Sequence, residues 1–376
     1  MNNTFSDYLY KKASLQKVPL FGCFELSPVC NFSCKMCYVR KTYAQIQKEG
    51  KRLLNWKEWL ELAKQCKNEG TLYLLLSGGE PFIYPHFKEL YSSLHSMGFV
   101  LSINSNGTMI DKETVDWLKT MAPSRVNITL YGSSRETYLK ICGNPEGYDK
   151  AIKAILMLKE VGIPVVINAS MIPENSQDMK DIIEFGKKHN INTRVSTYMF
   201  PPIRRDRETG DSRFPPEVAG KMYVQKFVYQ LRKEQLLKYV KDKLDTLNNK
   251  DEVVDNDWGA HKEEFMRCRA GRSSFWISWD GTMTACGLLS YPLQVNPFEN
   301  SFKDCWLQLT NTVRTTAVLK ECNNCSKKDI SIPCVAMLHS EVGSVDKKSP
   351  YLCTMTDQII LEMKKLLSEL EENHNE

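Results

Sequence analysis

"LFGCFELSPVCNFSCKMC", Leu20 to Cys37, sets an apolar run directly before a loop with three cysteines. The run is continuous rather than alternating, as a parallel strand covered on both faces requires. The loop after it has C-x3-C-x2-C spacing at Cys30, Cys34 and Cys37. A closed structural zinc site takes four ligands, often from two Cys-x2-Cys knuckles, and a four-iron cluster takes four thiolates. Three cysteines with no adjacent fourth leave one metal position open for chemistry. On spacing alone, zinc with a distant fourth ligand and scattered buried thiols remain alternatives.

Strand-like and helix-like segments alternate from here to about residue 200. "TLYLLLSGG" (71–79), "FVLSINSNG" (99–107), "RVNITLYG" (125–132), "IPVVINASMI" (163–172) and "NTRVSTYMF" (192–200) read as strands. "NWKEWLELAKQCKNEG" (55–70), "HFKELYSSLHSMG" (86–98), "DKETVDWLKTM" (111–121), "GYDKAIKAILMLKEVG" (147–162) and "SQDMKDIIEFGKKHN" (176–190) read as helices, several closed by a glycine. Regular βα alternation predicts an α/β fold with a parallel sheet, a partial (β/α)6 TIM-like barrel over 17–202. In such barrels the functional residues stand in the loops after the strands. The cysteine loop, "SGGEPF", "NSNGT" and "YGSSRETY" would therefore share one rim.

Beyond Phe200 the regular pattern stops. Residues 203–260 read as a charged, proline-containing linker and a long helix over 217–247, with Met222, Phe227, Leu231, Leu237 and Leu244 on its apolar face. Residues 261–356 form a loop-rich, cysteine-rich extension. Residues 357–376 read as an amphipathic helix burying Ile359, Ile360, Met363, Leu366, Leu367 and Leu370.

The composition narrows the class. The chain has 376 residues, 42% of them hydrophobic, without an apolar run of membrane-spanning length or a signal-peptide core. A cytoplasmic enzyme with no membrane contact is expected. Fifty basic and 45 acidic residues give a net charge of only +5, interspersed along the chain, which offers nucleic acid no basic surface. Thirteen cysteines in a chain without a secretion signal favour metal binding over disulfides.

The second loop adds Gly78 and Gly79, where backbone can approach a ligand closely, and Glu80, a carboxylate suited to an ammonium group. Taken alone, "GGE" is an ordinary tight turn. Together with the cysteine loop on consecutive strands, it resembles the radical S-adenosylmethionine (radical SAM) superfamily, whose mark is C-x3-C-x-Φ-C followed by "GGE". Φ is usually aromatic; here it is Met36, so the adenine contact is expected to be a softer one. The resemblance implies a [4Fe-4S] cluster on Cys30, Cys34 and Cys37. It also implies S-adenosylmethionine on the fourth iron, with Gly78, Gly79 and Glu80 holding its amino group. Asn104, Asn106 and Thr129 match positions that hold the ribose or carboxylate in relatives, and Lys140 is a basic candidate for the carboxylate. Each of these four could equally be a turn residue. Many relatives read "SLDG" where this chain reads "TLYG".

The later cysteines resemble the SPASM extension of radical SAM enzymes, which carries auxiliary [4Fe-4S] clusters. Cys268 is followed by twelve residues, Gly281, four residues and Cys286; then come Cys322, Cys325, Cys334 and Cys353. By position, one cluster would use Cys268, Cys286 and Cys334, and the other Cys322, Cys325 and Cys353. Ser331 stands where the pattern expects a cysteine, so one or two auxiliary clusters are implied. Cys305 and Cys66 read as buried thiols in helices. On spacing alone a zinc ribbon is the alternative for this half.

The family's commonest role implies oxidative modification of a peptide, by thioether or carbon–carbon crosslinking or side-chain oxidation. A ribosomal precursor peptide is the expected partner, with a flavodoxin- or ferredoxin-type reductant. Twenty-nine residues precede Cys30, too few for a fused peptide-recognition domain, so a separate leader-binding protein or the basic linker would engage the leader. Cys142 and Asp280 are catalytic candidates, the first as a hydrogen donor. Sulfatase-type maturation is disfavoured because Gly287, not an acid, follows Cys286. The alternatives are a radical SAM enzyme acting on a small cofactor precursor and a non-catalytic iron–sulfur or zinc protein.

Overall fold

The computed structural model describes residues 4–202, 212–247, 266, 268–317, 319–331 and 334–372. Most of the expected linker, 203–211 and 248–260, lies outside the described residues, and with it most of the basic segment expected to meet a leader. The first part of the chain runs α1 (Phe5–Gln16), β1 (Phe21–Glu25), α2 (Tyr43–Lys48), α3 (Trp56–Asn68), β2 (Tyr73–Ser77), α4 (Phe87–Ser96), β3 (Val100–Ser105) and α5 (Lys112–Thr120). It continues with β4 (Arg125–Thr129), α6 (Arg135–Cys142), α7 (Gly147–Glu160), β5 (Val165–Ser170), α8 (Met179–Lys188), β6 (Asn192–Ser196), α9 (Pro216–Gln230) and α10 (Lys233–Asp245). The cysteine-rich part adds β7 (Ser274–Ile277), β8 (Met283–Thr284), α11 (Phe302–Thr315), α12 (Lys320–Asn323), α13 (Lys328–Ser331), α14 (Val335–Val342) and α15 (Pro350–Glu372).

Strands pair in the order β6-β5-β4-β3-β2-β1-β7-β8, giving the expected open, barrel-like parallel sheet. Each of β1 to β6 is parallel to its neighbour. The helices form for local reasons that their sequences show. In α3 the Asn55 side chain accepts from the Lys57 and Glu58 N–H groups while Glu58 accepts from the Asn55 N–H. Trp59, Leu62, Ala63 and Cys66 then fall on one buried face at helical spacing.

The cysteine-rich part is continuous with the sheet. β7 lies parallel to β1, pairing Phe21 with Ser274 and Phe24 with Ile277, and β8 returns antiparallel. The Trp276 indole N–H donates to the buried Glu25 at 3.1 Å, fixing this junction. At the opposite edge α9 covers β6. Lys226 Nζ and Gln230 Nε2 donate to the Val195 and Thr193 carbonyls at 3.4 and 3.0 Å, capping an otherwise open strand edge.

Two expectations are corrected. The helix expected over 217–247 is two helices, because Leu231 and Arg232 adopt extended backbone with ψ of 152° and 158°. The break shifts the buried phase to Val224, Leu236 and Val240, while Met222, Phe227, Leu231, Leu237 and Leu244 are only half-buried. Phe227 instead meets Tyr239 of α10 at a centroid distance of 4.3 Å. The last helix starts at Pro350, a residue suited to a first helical turn, so Cys353 becomes part of it. Of its expected apolar face, Ile359 and Met363 are buried, and Ile360, Leu366, Leu367 and Leu370 half-buried.

Beside the rim, Glu341 of α14 is almost enclosed and pairs with Arg213 at 2.5 Å, while the Tyr198 hydroxyl donates to it at 2.8 Å. Arg213 also stacks over Tyr351 at 4.3 Å, so one charge pair joins the end of β6, α14 and α15. Glu341→Ala should cost about 3 kcal/mol of folding stability by removing the counter-charge of an enclosed guanidinium. The denaturant midpoint checks this; an unchanged midpoint would mean that Arg213 is fully solvated.

Candidate active site

The first two loops are built into each other. Leu26 N donates to Ser77 O at 2.9 Å, Gly79 N to Ser27 O at 2.7 Å and Glu80 N to Val29 O at 3.1 Å. Gly78 has φ of +144°, and a side chain there would place Cβ 2.4 Å from the Ser27 carbonyl oxygen. The close approach these glycines permit is thus first to the chain's own Ser27–Val29 segment, which leads into Cys30.

Glu80 is completely enclosed. Its carboxylate accepts from Ser105 Oγ at 2.9 Å, the Asn106 N–H at 2.8 Å and the Phe82 N–H at 3.2 Å. A carboxylate has about four lone-pair positions, so one is left for an ammonium group. Burial pushes its pKa up to about 7, against the lowering effect of those three donors. The folded state therefore favours protonated Glu80. Its contribution to stability is complete below the ordinary value of 4.5 and is lost as pH rises through about 7. Metal-free protein should lose about 3 kcal/mol over that window, and Glu80→Gln should flatten the profile, as denaturation midpoints between about pH 5 and pH 8 would show.

Asn106 ties the third loop to the cysteines. Its Nδ2 donates to Asn31 Oδ1 at 2.8 Å and lies 3.7 Å from Cys30 Sγ, while Asn31 Nδ2 donates to Thr108 Oγ1 at 2.8 Å. Asn104 donates to Ser77 Oγ at 3.3 Å and accepts from Asn127 at 2.9 Å, deeper in the sheet. Thr129 ends β4, half-buried, opposite Asn168. Lys140 lies on the exposed face of α6, whereas Tyr138, Ile141 and Cys142 are buried. The cysteine loop seats on the end of that helix, with Ser33 N donating to Cys142 O at 3.0 Å and Lys35 N to Ile141 O at 3.1 Å. Cys142 is therefore beside the triplet, buried at the end of α6.

The three thiols fit a cationic metal group. Burial, together with the nearby charges of Glu80, Cys34 and Cys37, pushes Cys30 up to about 12, a penalty that bound metal would relieve. Among the described residues, no three His, Cys, Asp or Glu side chains converge on a position for one metal ion. Thiolates around a four-iron cluster each bind a different iron and need no such convergence.

Met36 and Cys37 open onto a cavity of about 250 Å³ with Ser170 and Ser196 at the ends of β5 and β6, Tyr198, Pro202 and Leu288. A second cavity, about 410 Å³, is lined by Lys41, Lys51, Trp279, Asp280, Cys286 and His339, and shares Pro202 and Leu288 with the first. Asp280 is held in the β7–β8 turn by Ser278 Oγ at 2.8 Å and pairs with Lys51 at 2.5 Å. Burial pushes its pKa up, but these partners outweigh it and hold the carboxyl below its usual range.

Burial raises Cys322, and the charges of Cys353 and Cys325 add to it; Cys268 is raised by burial and then by Cys334. Cys286 lines the larger cavity. Ser331 ends α13 with its hydroxyl turned to the Lys328 carbonyl at 3.4 Å. Cys305 and Cys66 are buried in α11 and α3, as expected. Sequence reasoning gave no role to Ser105, Asn31 or Tyr131; only Tyr131 carried a signal, as the tyrosine of "TLYG" where relatives have aspartate.

The family model for the radical SAM superfamily matches residues 24–186. Over 349 residues, 90% of this chain and 97% of the relative, the chain is 22% identical to the AdoMet-dependent heme synthase of Methanosarcina barkeri. It is 31% identical over 170 residues to a probable GTP 3′,8-cyclase of Saccharolobus islandicus, covering 44% of this chain and 53% of that protein. In fold it is similar to Streptococcus suis SuiB bound to its precursor peptide SuiA, with a TM-score of 0.65, 18% identity and coverage of 93% of this chain and 80% of that one. It is likewise similar to anSMEcpe with bound AdoMet, with a TM-score of 0.66, 16% identity and coverage of 94% and 99%.

Proposed function

Since this chain is an enzyme of the radical SAM superfamily, carrying that domain over residues 24–186, we propose that it oxidises a peptide by abstracting a hydrogen atom from it. The observation that carries this reading is a pair of neighbouring cavities that share Pro202 and Leu288 in their walls, one lined by Cys37 and the other by Cys286. Two adjacent cavities walled by both the barrel and the cysteine-rich part suit successive residues of an extended chain better than a compact metabolite. The likeness to SuiB, described bound to a precursor peptide, supports it. A non-catalytic protein is set aside by the family.

When bound, a [4Fe-4S] cluster and S-adenosylmethionine supply a one-electron reductive cleavage that yields a 5′-deoxyadenosyl radical. Cys30, Cys34 and Cys37 would hold that cluster. The Gly78–Gly79 backbone and the last acceptor position of Glu80 would orient the amino group, and Asn104, Asn106 and Thr129 the ribose and carboxylate. Met36 would cover the adenine. Lys140, facing outward, has no part. The auxiliary sets Cys268, Cys286, Cys334 and Cys322, Cys325, Cys353 would hold one or two further clusters that accept the electron left on the substrate. A flavodoxin- or ferredoxin-type protein would reduce the first cluster, and a separate protein would present the peptide leader.

Anaerobic turnover with a peptide encoded beside this chain's gene tests the reading. Mass spectrometry should find the peptide two hydrogen atoms lighter, with one 5′-deoxyadenosine formed for each. The near-full-length likeness to a heme synthase favours a second reading, oxidation of a cofactor precursor. An unmodified peptide alongside an oxidised tetrapyrrole would decide for it.

A further inference from the structure

Resting on the reading that this chain oxidises a peptide, we infer that Lys41 and Lys51 form a clamp for a substrate carboxylate, an Asp or Glu side chain beside the reacting residue. Asp280 and Glu49 are the positioning residues of that clamp. Both lysines stand in the wall of the larger cavity, which Cys286 also lines. The permanent charges of that wall are these two ammonium groups and the Asp280 carboxylate; Glu49 is not part of it.

The two lysines bracket α2, which acts as a short spacer between them. Thr42 and Gln45 cap that helix reciprocally, and Ile46 is its buried residue. The Lys41 N–H donates to the Pro28 carbonyl at 3.1 Å and the Lys51 N–H to the Ile46 carbonyl at 3.1 Å, so both main-chain positions are fixed. Their side chains converge on Trp279, a 5% exposed ring in the β7–β8 turn. The ammonium nitrogens lie 5.9 and 5.6 Å from its centroid, within reach of cation–π attraction. Two like charges gathered at one ring repel each other, and a guest anion that reaches both relieves that repulsion.

The carboxylates already present place the lysines. Asp280 accepts from Ser278 Oγ at 2.8 Å, the Thr282 N–H at 3.2 Å and Lys51 Nζ at 2.5 Å. Lys41 pairs with Glu49. An ammonium group has three donors, so each lysine keeps two for a guest. Hydrogen bonds between an ammonium and a carboxylate are about twice as strong as neutral ones. Asp280, with these three donors on it, anchors Lys51 instead of receiving a substrate proton. Pro202 and Leu288, shared by both walls, set the clamped residue in one cavity and its neighbour in the cavity of Met36 and Cys37. The clamp therefore selects which residue of the chain reacts. A cofactor precursor bearing a carboxylate would meet the same two lysines.

The test uses the anaerobically reconstituted full chain and two probes, acetyl-Gly-Glu-Gly-amide and its Gln counterpart, with binding followed by saturation-transfer NMR. Wild type should bind the Glu probe at least about tenfold tighter than the Gln probe. Lys41→Met and Lys51→Met should each lose most of that preference and the double variant all of it. Lys51→Arg should keep it, and Asp280→Asn should weaken it. Equal binding of the two probes to wild type, or a preference that survives in the double variant, overturns the clamp. Turnover of the peptide encoded beside this chain's gene identifies the source of the carboxylate. Replacing one of its acidic residues by lysine should raise KM at least about tenfold, and Lys51→Glu in the enzyme should restore it. Asp280→Asn that lowers kcat at unchanged KM would make Asp280 a base and overturn its positioning role. A peptide modified equally well without its acidic residues overturns a peptide carboxylate as the guest. A peptide left unmodified while the Glu preference stands fails the peptide reading and gives the clamp to a carboxylate-bearing cofactor precursor.

Discussion

Gly79→Ala should unseat the cysteine loop. An alanine Cβ would lie 2.3 Å from the Val29 carbonyl oxygen, 2.6 Å from its carbon and 2.8 Å from the Pro28 oxygen. All three are backbone atoms, so no side chain can swing aside. Relief requires moving Pro28–Val29, the segment that delivers Cys30, and breaks the Gly79 N to Ser27 O and Glu80 N to Val29 O hydrogen bonds. Overpacking of this kind costs about 1–3 kcal/mol, and two lost backbone hydrogen bonds about 1 kcal/mol each. We expect a lower denaturation midpoint and at least about a tenfold loss of S-adenosylmethionine affinity, since about 1.4 kcal/mol is a factor of ten. Equilibrium binding to the reconstituted variant measures the second effect. Wild-type affinity would show that the two loops need not touch.

The parallel sheet was legible because its strands are continuous apolar runs separated by capped helices, as at Asn55 before α3. The rim loops followed from the strand ends. What escaped the sequence depends on contacts distant in the chain. β7, "SFWI", is four residues long, and nothing local says that it pairs with β1 from 250 residues away. The break between α9 and α10 has no proline or glycine to announce it. The seating of the cysteine loop on Ile141 and Cys142 needs α6 to end against it. Glu80 was legible as a candidate, but its partners Ser105 Oγ and the Asn106 N–H, from the next strand's end, were not.

The central claim is that Cys30, Cys34 and Cys37 hold a cluster that cleaves S-adenosylmethionine. The second large effect follows from removing them together. With Cys30, Cys34 and Cys37 replaced by alanine, the loop keeps its backbone hydrogen bonds to Ile141 and Cys142, so the fold should persist. The later cysteines, on separate elements, should keep their metal. Iron and sulfide per chain, assayed beside dithionite-driven 5′-deoxyadenosine formation, read both consequences at once. The account predicts about 12 irons in wild type if two auxiliary clusters form, or about 8 if the cysteine absent at Ser331 costs one. The triple variant should hold about four fewer and form no 5′-deoxyadenosine. Zinc in place of iron in wild type, or 5′-deoxyadenosine formation that survives the triple substitution, would contradict it.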